Sequence, residues 1–255
     1  MIDAHCHLEQ TPYDVDRDDV IKKCKKEGLR GVVFSCAHPQ DFKKSLEIAK
    51  TYPSYAFMNA GLHPEFIKDI TVQVKKEFFE NVKANSKMIY AIGETGLDFN
   101  WTKEPEWRER QKALFVEMIR FANEIGKPLV IHARDAYVET IEILENEGEK
   151  HVLMHMFGDK SLTQRVIGNG WYISTNAIVL KSKNHRKIVK DTPSDRLLLE
   201  TDAPWLHPDG HGRNDPTSIK IIAEKIAELT GRPFDDVWQQ CGENAVKFFE
   251  LPIEI

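Results

Sequence analysis

Six residues of the types that bind divalent metal ions stand at the ends of short apolar segments in this sequence. They are His5, His7, Glu94, His132, His155 and Asp202. In a strand, the side chains of His5 and His7 point to one face and that of Cys6 to the other. Imidazole nitrogens and carboxylate oxygens without a thiolate suit Zn²⁺, Mn²⁺ or Mg²⁺ at a hydrolytic centre. We therefore expect a metal site; for any single histidine the alternative is a hydrogen-bonded position in the core.

Six donors are more than one catalytic ion requires. They suit two divalent ions about 3.5–4 Å apart, bridged by one carboxylate. Glu94 lies near the middle of the set along the chain and is the expected bridge. Asp202 is expected to hold one ion and to take a proton from the attacking water, because a general base must lie within hydrogen-bond reach of the nucleophile. The predicted catalytic residues are therefore Asp202 and Glu94, and the alternative for Asp202 is a purely structural ligand.

The elements that must position these residues follow from the hydropathy pattern. Eight short apolar segments predict strands at 2–5, 31–35, 55–62, 89–94, 128–132, 151–155, 171–174 and 196–201. Amphipathic stretches predict helices at 17–27, 40–51, 72–84, 106–125, 136–147, 161–167, 185–189, 218–229 and 234–248. Several of the strand segments are nearly all apolar, which is typical of parallel strands covered on both faces.

Strands that recur about every 32 residues, each followed by a helix, predict an α/β fold, a single-domain (β/α)8 TIM barrel over residues 1–255. A doubly wound open sheet is the alternative, but its usual glycine-rich phosphate loop is missing. In a (β/α)8 barrel the carboxyl ends of all strands form one rim, where the active site lies. Such a barrel would bring the six donors together.

Composition and charge exclude several classes of protein. With 41% hydrophobic and 29% charged residues, the chain is neither disordered nor collagen-like, and it has no run of about 18 apolar residues that would span a membrane. Its net charge of −5 argues against a broad basic face, so any polyanion binding must be local or metal-assisted. Four cysteines without a CxxC pair, and no signal-like segment, predict a cytoplasmic protein with reduced thiols.

Five segments together resemble the TatD family of metal-dependent deoxyribonucleases. They are 2–8 (IDAHCHL), 61–64 (GLHP), 91–99 (AIGETGLDF), 128–135 (PLVIHARD) and 200–205 (ETDAPW). The resemblance implies an amidohydrolase-type barrel that uses divalent metal, and Mg²⁺, Mn²⁺ and Zn²⁺ stay the candidates for the two ions that the donor set suits. It implies hydrolysis of DNA phosphodiesters by attack of a metal-bound water, often as a 3′-to-5′ exonuclease on single strands or 3′ ends. The resemblance also implies, position by position, that the six donors named above are the metal ligands.

Two segments depart from the family pattern near the expected mouth of the barrel. They are 155–159 (HMFGD) and 174–177 (STNA), and they bear on the substrate rather than on metal binding. Near the same mouth, His63 and Arg134 are the predicted substrate-binding residues. His63 would hydrogen-bond a phosphate oxygen or cap its loop, and Arg134 would clamp phosphate or pair with Asp98 or Asp135. Glu200 is expected to orient a ligating imidazole.

Two further groups of residues are candidates for DNA contact. One is a run of cations, Lys181, Lys183, Arg186, Lys187 and Lys190; the other is a set of aromatic residues, Phe99, Trp101 and Trp107. The cations would attract a phosphate backbone if they flank the mouth, or form a solvated helix face if they do not. The aromatic residues would stack bases of a single strand or pack the loop after Glu94.

The main hypothesis is thus a metal-dependent phosphodiesterase that acts on DNA, with no membrane partner and no particular oligomeric state predicted. A small-molecule amidohydrolase that cleaves an amide or ester is the first alternative. Glu94 stands where many such barrels carry a carboxylated lysine, which argues mildly against it. A metal-stabilised, non-enzymatic nucleic-acid-binding module is the second alternative.

Overall fold

The eight apolar segments form one parallel sheet that curls into a barrel. In the computed structural model, which describes all residues 1–255, the strands pair in chain order. They are β1 (Ile2–Cys6), β2 (Gly31–Cys36), β3 (Ala56–Ala60), β4 (Ile89–Asp98), β5 (Leu129–Arg134), β6 (Val152–Met154), β7 (Tyr172–Thr175) and β8 (Leu197–Leu199). The prediction of a (β/α)8 barrel is confirmed.

Nine helices follow the strands, close to the predicted positions. They are α1 (Arg17–Lys26), α2 (Phe42–Thr51), α3 (Val72–Ala84), α4 (Pro105–Ile125), α5 (Tyr137–Asn146), α6 (Thr163–Gly168), α7 (Lys183–Asp191), α8 (Ile219–Thr230) and α9 (Phe234–Phe249). The ends of α4 illustrate the local causes. Proline occupies its first turn, where no amide donor is needed, and Gly126 ends it in the left-handed conformation at φ +65°. No helix is long and apolar enough to cross a membrane.

The fourth strand differs from its prediction. The apolar pattern ends it at Glu94, but β4 continues to Asp98. Its pairing with β5 shifts in register between Ile92 and Thr95 and then continues until Asp98 lies opposite Arg134. An irregularity of this kind changes which residues face the barrel interior, and a two-residue period does not reveal it. The prediction that Glu94 ends its strand is therefore wrong.

Apolar side chains fill the amino-terminal end of the barrel. Nine of them come from the strands: Ile2, Ala4, Val33, Phe57, Ala91, Val130, Leu153, Tyr172 and Leu198. Phe248 and Phe249 of α9 pack against this cluster and close it from below. Full burial of a large apolar side chain contributes about 1.5–3 kcal/mol. This end of the barrel therefore serves stability, and a separate cluster of 58 buried residues fills the space between sheet and helices.

The seam between β8 and β1 is closed by a buried carboxylate. Asp3 accepts hydrogen bonds from the backbone amides of His5 (3.2 Å) and Thr201 (3.0 Å) and from the Thr201 hydroxyl. The amide of Asp202 in turn donates to the carbonyl oxygen of His5 at 2.9 Å. Burial raises the pKa of Asp3, although these hydrogen bonds oppose the shift. The seam fixes Asp202 beside His5.

Candidate metal centre

The carboxyl ends of the strands form a cup in which all six predicted metal donors meet. His5 lies on β1 with His7 just after it, Glu94 on β4 and His132 on β5, while His155 and Asp202 follow β6 and β8. The donor atoms fall into overlapping groups within 4.8 Å: His5, His155 and Asp202; His5, His7 and Glu94; and His63, Glu94 and His132. Cys6 is buried on the outer side of its strand, in the cluster between sheet and helices.

Glu94 stands between two groups of imidazoles. Its Oε1 lies 3.0 Å from Nε2 of His5 and 3.4 Å from Nε2 of His7. Its Oε2 lies 3.6 Å from Nδ1 of His132 and 3.7 Å from Nε2 of His155. Each carboxylate oxygen thus faces its own set of imidazoles, an arrangement that suits a carboxylate bridging two ions.

The two glycines that flank Glu94 permit its position. A Cβ at Gly93 would lie 2.6 Å from both Cβ and the carbonyl oxygen of Val130. Gly96 has φ +140°, and a Cβ there would lie 2.0 Å from the carbonyl oxygen of His132. Side chains at these positions would push β4 away from β5. The GETG sequence therefore aims Glu94 into the cup by allowing the two strands to approach closely.

Asp202 completes one side of the cup. Its Oδ1 lies 3.3 Å from Nε2 of His7 and 3.8 Å from Nε2 of His5. Its backbone is left-handed, with φ +57°, a conformation that costs a non-glycine residue about 1–3 kcal/mol and is concentrated at functional sites. The seam hydrogen bond to His5 offsets this cost and holds the turn that directs the carboxylate inward.

Four histidines have their second ring nitrogen held by a partner outside the cup. His132 Nε2 lies 3.0 Å from Asp98 Oδ2, and His155 Nδ1 lies 2.9 Å from Glu200 Oε2. His7 Nδ1 lies 3.2 Å from the carbonyl oxygen of Ser35 and 3.3 Å from Oε1 of Glu9, and His5 Nδ1 lies 3.3 Å from Oγ of Ser35. Acceptors in this position orient a ligating imidazole and make it more basic.

Sequence reasoning foresaw the contact of Glu200 but missed that of Asp98. Asp98 is predicted only as one of two alternative partners of Arg134, whereas its carboxylate holds His132. The signal was obscured because β4 was expected to end four residues earlier. Glu9 is a further partner that the hydropathy pattern does not reveal: it is two residues from His7 and almost fully buried.

His63 differs from the other histidines. Its Nδ1 accepts a hydrogen bond from the backbone amide of Glu65 at 3.2 Å, so in the neutral ring the proton is on Nε2. Burial, and then the neighbouring His132, lower the pKa of His63 to about 3. The Nε2 donor lies 3.7 Å from Oε2 of Glu94. His63 therefore caps its loop, which is one of its two predicted roles. It also directs a neutral N–H donor toward the cup.

The ionisation states suit cation binding. Burial opposes the charge of Glu94, but His5 and His132 hold its pKa well below the usual value. Burial likewise opposes the charge of Asp202, and its contact with His7 lowers its pKa. Burial would lower the pKa of His155, but Glu200 raises it to about 9. Both carboxylates are thus anionic, and His155 holds a proton that a cation would displace.

The donor set fits divalent metal. Imidazole nitrogens and two anionic carboxylates converge in a nearly dry cup, the outer nitrogens have orienting partners, and the thiol of Cys6 points away. Hard or borderline ions such as Mg²⁺, Mn²⁺ and Zn²⁺ bind donors of this kind.

Arg134 lies at the rim of the cup on the β4–β5 side. It donates from Nε and Nη2 to the side-chain oxygen of Asn100, both at 3.0 Å, once that amide is oriented to accept. Its guanidinium lies 5.9 Å from the ring centre of Trp101, which is 63% exposed. Arg134 forms no ion pair with Asp98 or Asp135, so the alternative of an ion pair is wrong.

The remaining aromatic and basic candidates divide between structural and exposed positions. Phe99 is buried, with the guanidinium of Arg108 4.6 Å from its ring centre, and Trp107 packs against the core. Arg186 donates from Nε to the carbonyl oxygen of Val179 at 2.9 Å and so holds its own loop. The exposed members of the two sets are Trp101, Lys181, Lys183, Lys187 and Lys190.

Comparison with known proteins shows the family of the chain. Residues 2–250 match the family described as TatD related DNase. The human protein named deoxyribonuclease TATDN3 is 32% identical over 98% of this chain and 94% of its own length. The Bacillus subtilis protein named metal-dependent hydrolase YabD is 33% identical over 98% of this chain and 99% of its own.

Solved structures agree in fold. The Escherichia coli TatD homologue YjjV superposes with a TM-score of 0.91 at 23% identity, covering 99% of this chain and 98% of its own. A TatD-family hydrolase of Entamoeba histolytica gives a TM-score of 0.88 at 19% identity, covering 97% of each chain. The chain therefore belongs to the family of TatD-related DNases and is a metal-dependent hydrolase.

Proposed function

We propose that this chain is a deoxyribonuclease that hydrolyses phosphodiester bonds with two divalent ions, which are Mg²⁺, Mn²⁺ or Zn²⁺. The observation that carries the proposal is the position of Glu94, whose two carboxylate oxygens face separate sets of imidazoles, which include the predicted ligands His5 with His7 and His132 with His155. A paired site of this kind suits in-line displacement at phosphorus, where attacking and leaving oxygens both need stabilisation. The DNase names of the family and of human TATDN3 support DNA as the substrate.

The ligands divide around Glu94. His5, His7 and Asp202 would hold one ion, His132 and His155 the other, and Glu94 both. When bound, the ions would supply a water of lowered pKa and would neutralise charge on the phosphate oxygens. Asp98 and Glu200 would keep the rings of His132 and His155 in the orientation for binding.

Three side chains would act on the substrate itself. Asp202 would accept the proton of the attacking water, because its carboxylate is ionised and lies at one side of the cup, beside His7. His63 would donate its Nε2 proton to a non-bridging phosphate oxygen, since its ring is neutral. Arg134 would bind a neighbouring phosphate, because it is exposed at the rim and pairs with no carboxylate.

Single strands or 3′ ends are the proposed form of the substrate, with exonucleolytic 3′-to-5′ digestion. The donors lie deep in the cup, since His5 is 0% and Glu94 3% exposed. A duplex is stiff, with a persistence length of about 50 nm, so a flexible strand or a frayed end reaches such a floor more easily. The exposed ring of Trp101 beside Arg134 offers a stacking surface for a base. The four free, buried cysteines favour the cytoplasm as the location.

The test is digestion of end-labelled single- and double-stranded DNA by the purified protein. Activity should vanish in EDTA and return when Mg²⁺, Mn²⁺ or Zn²⁺ is added. The single strand should be degraded faster, and a 5′ label should leave a ladder that shortens from the 3′ end. Digestion that survives EDTA would overturn the mechanism.

Matched variants separate the alternatives. Asp202→Asn should abolish hydrolysis, whereas Asp19→Asn, an exposed aspartate on α1 that pairs with Lys22, should not. A panel of cyclic amides and lactones tests the amidohydrolase alternative. DNA binding that persists in Asp202→Asn, together with no hydrolysis by the parent protein in any ion, would instead indicate a non-enzymatic binding module.

A further inference from the structure

A cleft opens beside the metal cup, between the segments that follow β7 and β8. Its volume is about 480 Å³, within the range of about 300–1,000 Å³ that is usual for small-molecule sites. Its walls include Ile178 from the first segment, and Pro204, Trp205 and Leu206 from the second. Trp205 is 55% exposed although it is among the largest apolar side chains of the molecule.

The wall of the cleft is joined to the metal cup through the backbone. The amide of Trp205 donates to the carbonyl oxygen of Asp202 at 2.9 Å, and the amide of His7 donates to the carbonyl oxygen of Ala203 at 2.7 Å. Trp205 is therefore three residues from a proposed metal ligand and is tied to it by the backbone. The backbone that positions Asp202 therefore also positions the indole wall of the cleft.

The charge of the cleft is opposite to that of the whole chain. It is lined by Lys181 and Arg213 and by no aspartate or glutamate, whereas four other surface clefts each include at least one acid. Arg213 is engaged by Asp16, with Nη1 2.8 Å from Oδ1. Lys181 pairs with no carboxylate, and its ammonium lies against Gly210, where a Cβ would be 2.7 Å from Nζ. Lys181 thus spans the cleft with an available positive charge.

The wall that carries Trp205 is held in place. Asn214 is fully buried, its amide donates to the carbonyl oxygen of Pro204 at 2.9 Å, and its side chain donates to that of Thr201 at 3.2 Å. Tyr13 donates from its hydroxyl to the carbonyl oxygen of Asn214 at 2.7 Å. A surface that is preorganised in this way binds a planar group without the entropy cost of ordering a loop.

We propose that this cleft is a nucleotide subsite, which binds the base next to the scissile phosphate on Trp205 and the following phosphate on Lys181. The assignment rests on the proposed DNase function and deepens it. An apolar wall with an exposed indole and an unpaired ammonium matches a base joined to a phosphate, and stacking on an aromatic ring tolerates any base. The subsite predicts a substrate that is unpaired next to the cleaved bond.

The test measures whether Trp205 and one base act together. Short oligothymidylates are compared with versions in which a tetrahydrofuran abasic residue replaces the nucleotide on either side of the scissile bond. With base present, Trp205→Ala should lower kcat/KM by about tenfold. At one of the two positions, removal of the base should lower kcat/KM of the parent protein by the same factor. For Trp205→Ala, removal of that base should lower kcat/KM hardly any further. Trp205→Phe should recover most of the loss.

Lys181 gives a second, independent measurement. Lys181→Met should reduce the slope of log kcat/KM against log salt by about one, as expected for one lost phosphate contact. Lys183→Met is the matched control, because Lys183 is exposed on α7 and does not line the cleft. An unchanged slope in Lys181→Met would remove the phosphate from the assignment.

The outcomes also separate this subsite from the function on which it rests. If the parent protein degrades oligothymidylates while Trp205→Ala loses equally on abasic and base-bearing strands, or loses nothing, the subsite is wrong and the DNase function stands. If the parent protein degrades no DNA in any divalent ion, both proposals are wrong.

Discussion

The two ends of the barrel carry opposite chemistry on the same strands. On β4 and β5, Ala91 and Val130 belong to the apolar cluster that fills the amino-terminal end of the barrel, here called the plug, whereas Glu94 and His132 lie in the cup a few residues further along. One end is sealed by α9 and holds no candidate ligand; the other gathers anionic carboxylates and imidazoles. The comparison teaches that the residues for stability and those for chemistry occupy separate layers of one sheet. A substitution in one layer should therefore change stability or activity without changing the other.

The largest expected effect comes from the bridging position in the cup. Glu94→Gln keeps the shape of the side chain but removes its charge and its ability to bridge two ions. Activity on single-stranded DNA should fall by about 10³-fold, as when a preorganised electrostatic group is lost. Glu80→Gln is the matched control, because Glu80 is exposed and contacts only Lys76 at 4.0 Å. A Glu94→Gln enzyme within tenfold of the parent would break the comparison.

The opposite effect is expected at the plug. Phe248 is fully buried and its ring packs against those of Tyr172, His151 and Phe249. Phe248→Ala should lower the free energy of unfolding by about 3–5 kcal/mol. Urea unfolding gives that loss, and kcat/KM per folded molecule should stay within twofold of the parent. A large loss of kcat/KM at unchanged stability would contradict the separation of the two layers.

Smaller effects are expected from residues that only orient ligands. Asp98→Asn should weaken metal binding about 10–100-fold, because the ring of His132 loses the carboxylate 3.0 Å from its Nε2. Activity should recover when the ion is raised to saturation, which distinguishes this residue from Glu94. Glu200→Gln, which acts on His155, should behave in the same way. A defect that saturating metal leaves unchanged would assign these residues a different role.

The smallest effect is a dependence of metal affinity on pH. The neighbouring carboxylates raise the pKa of His155 to about 9 against the opposing effect of burial, so its ring is protonated at neutral pH in the metal-free protein. An ion must displace that proton, and affinity should therefore rise from pH 7 to 9. The raised pKa stabilises the metal-free fold below about pH 6.5, and this contribution is lost as the pH rises through 9. Calorimetry of metal binding in buffers of different ionisation enthalpy should detect proton release at pH 7. If no proton is released, the assignment is contradicted.

Much of the fold was predictable because its cause is local. Apolar runs such as 31–35 and 128–132 mark strands covered on both faces, and their regular recurrence marks the barrel. The register shift between Ile92 and Thr95 was not predictable from hydropathy, because it depends on how closely β4 approaches β5. That approach in turn depends on Gly93 and Gly96, whose neighbours are on the next strand.

The residues of the site likewise fall into those that the sequence could predict and those that it could not. The donors could be named because each follows an apolar segment and has the chemistry of a ligand. The cleft beside Trp205 could not be named, because its wall is irregular and is fixed by contacts between distant residues, such as Tyr13 with Asn214. The role of Asp98 was hidden by the misplaced end of β4.

The central claim is that Glu94 joins two ions in one cup, and titration of the metal-stripped protein with Mn²⁺ tests it most directly. Calorimetry should give two ions per chain, and the electron paramagnetic resonance spectrum of the loaded protein should show two coupled Mn²⁺ ions, as expected at a separation of about 3.5–4 Å. Glu94→Gln should abolish the coupling. A single ion per chain, or two ions whose spectra are independent in the parent protein, would contradict the account.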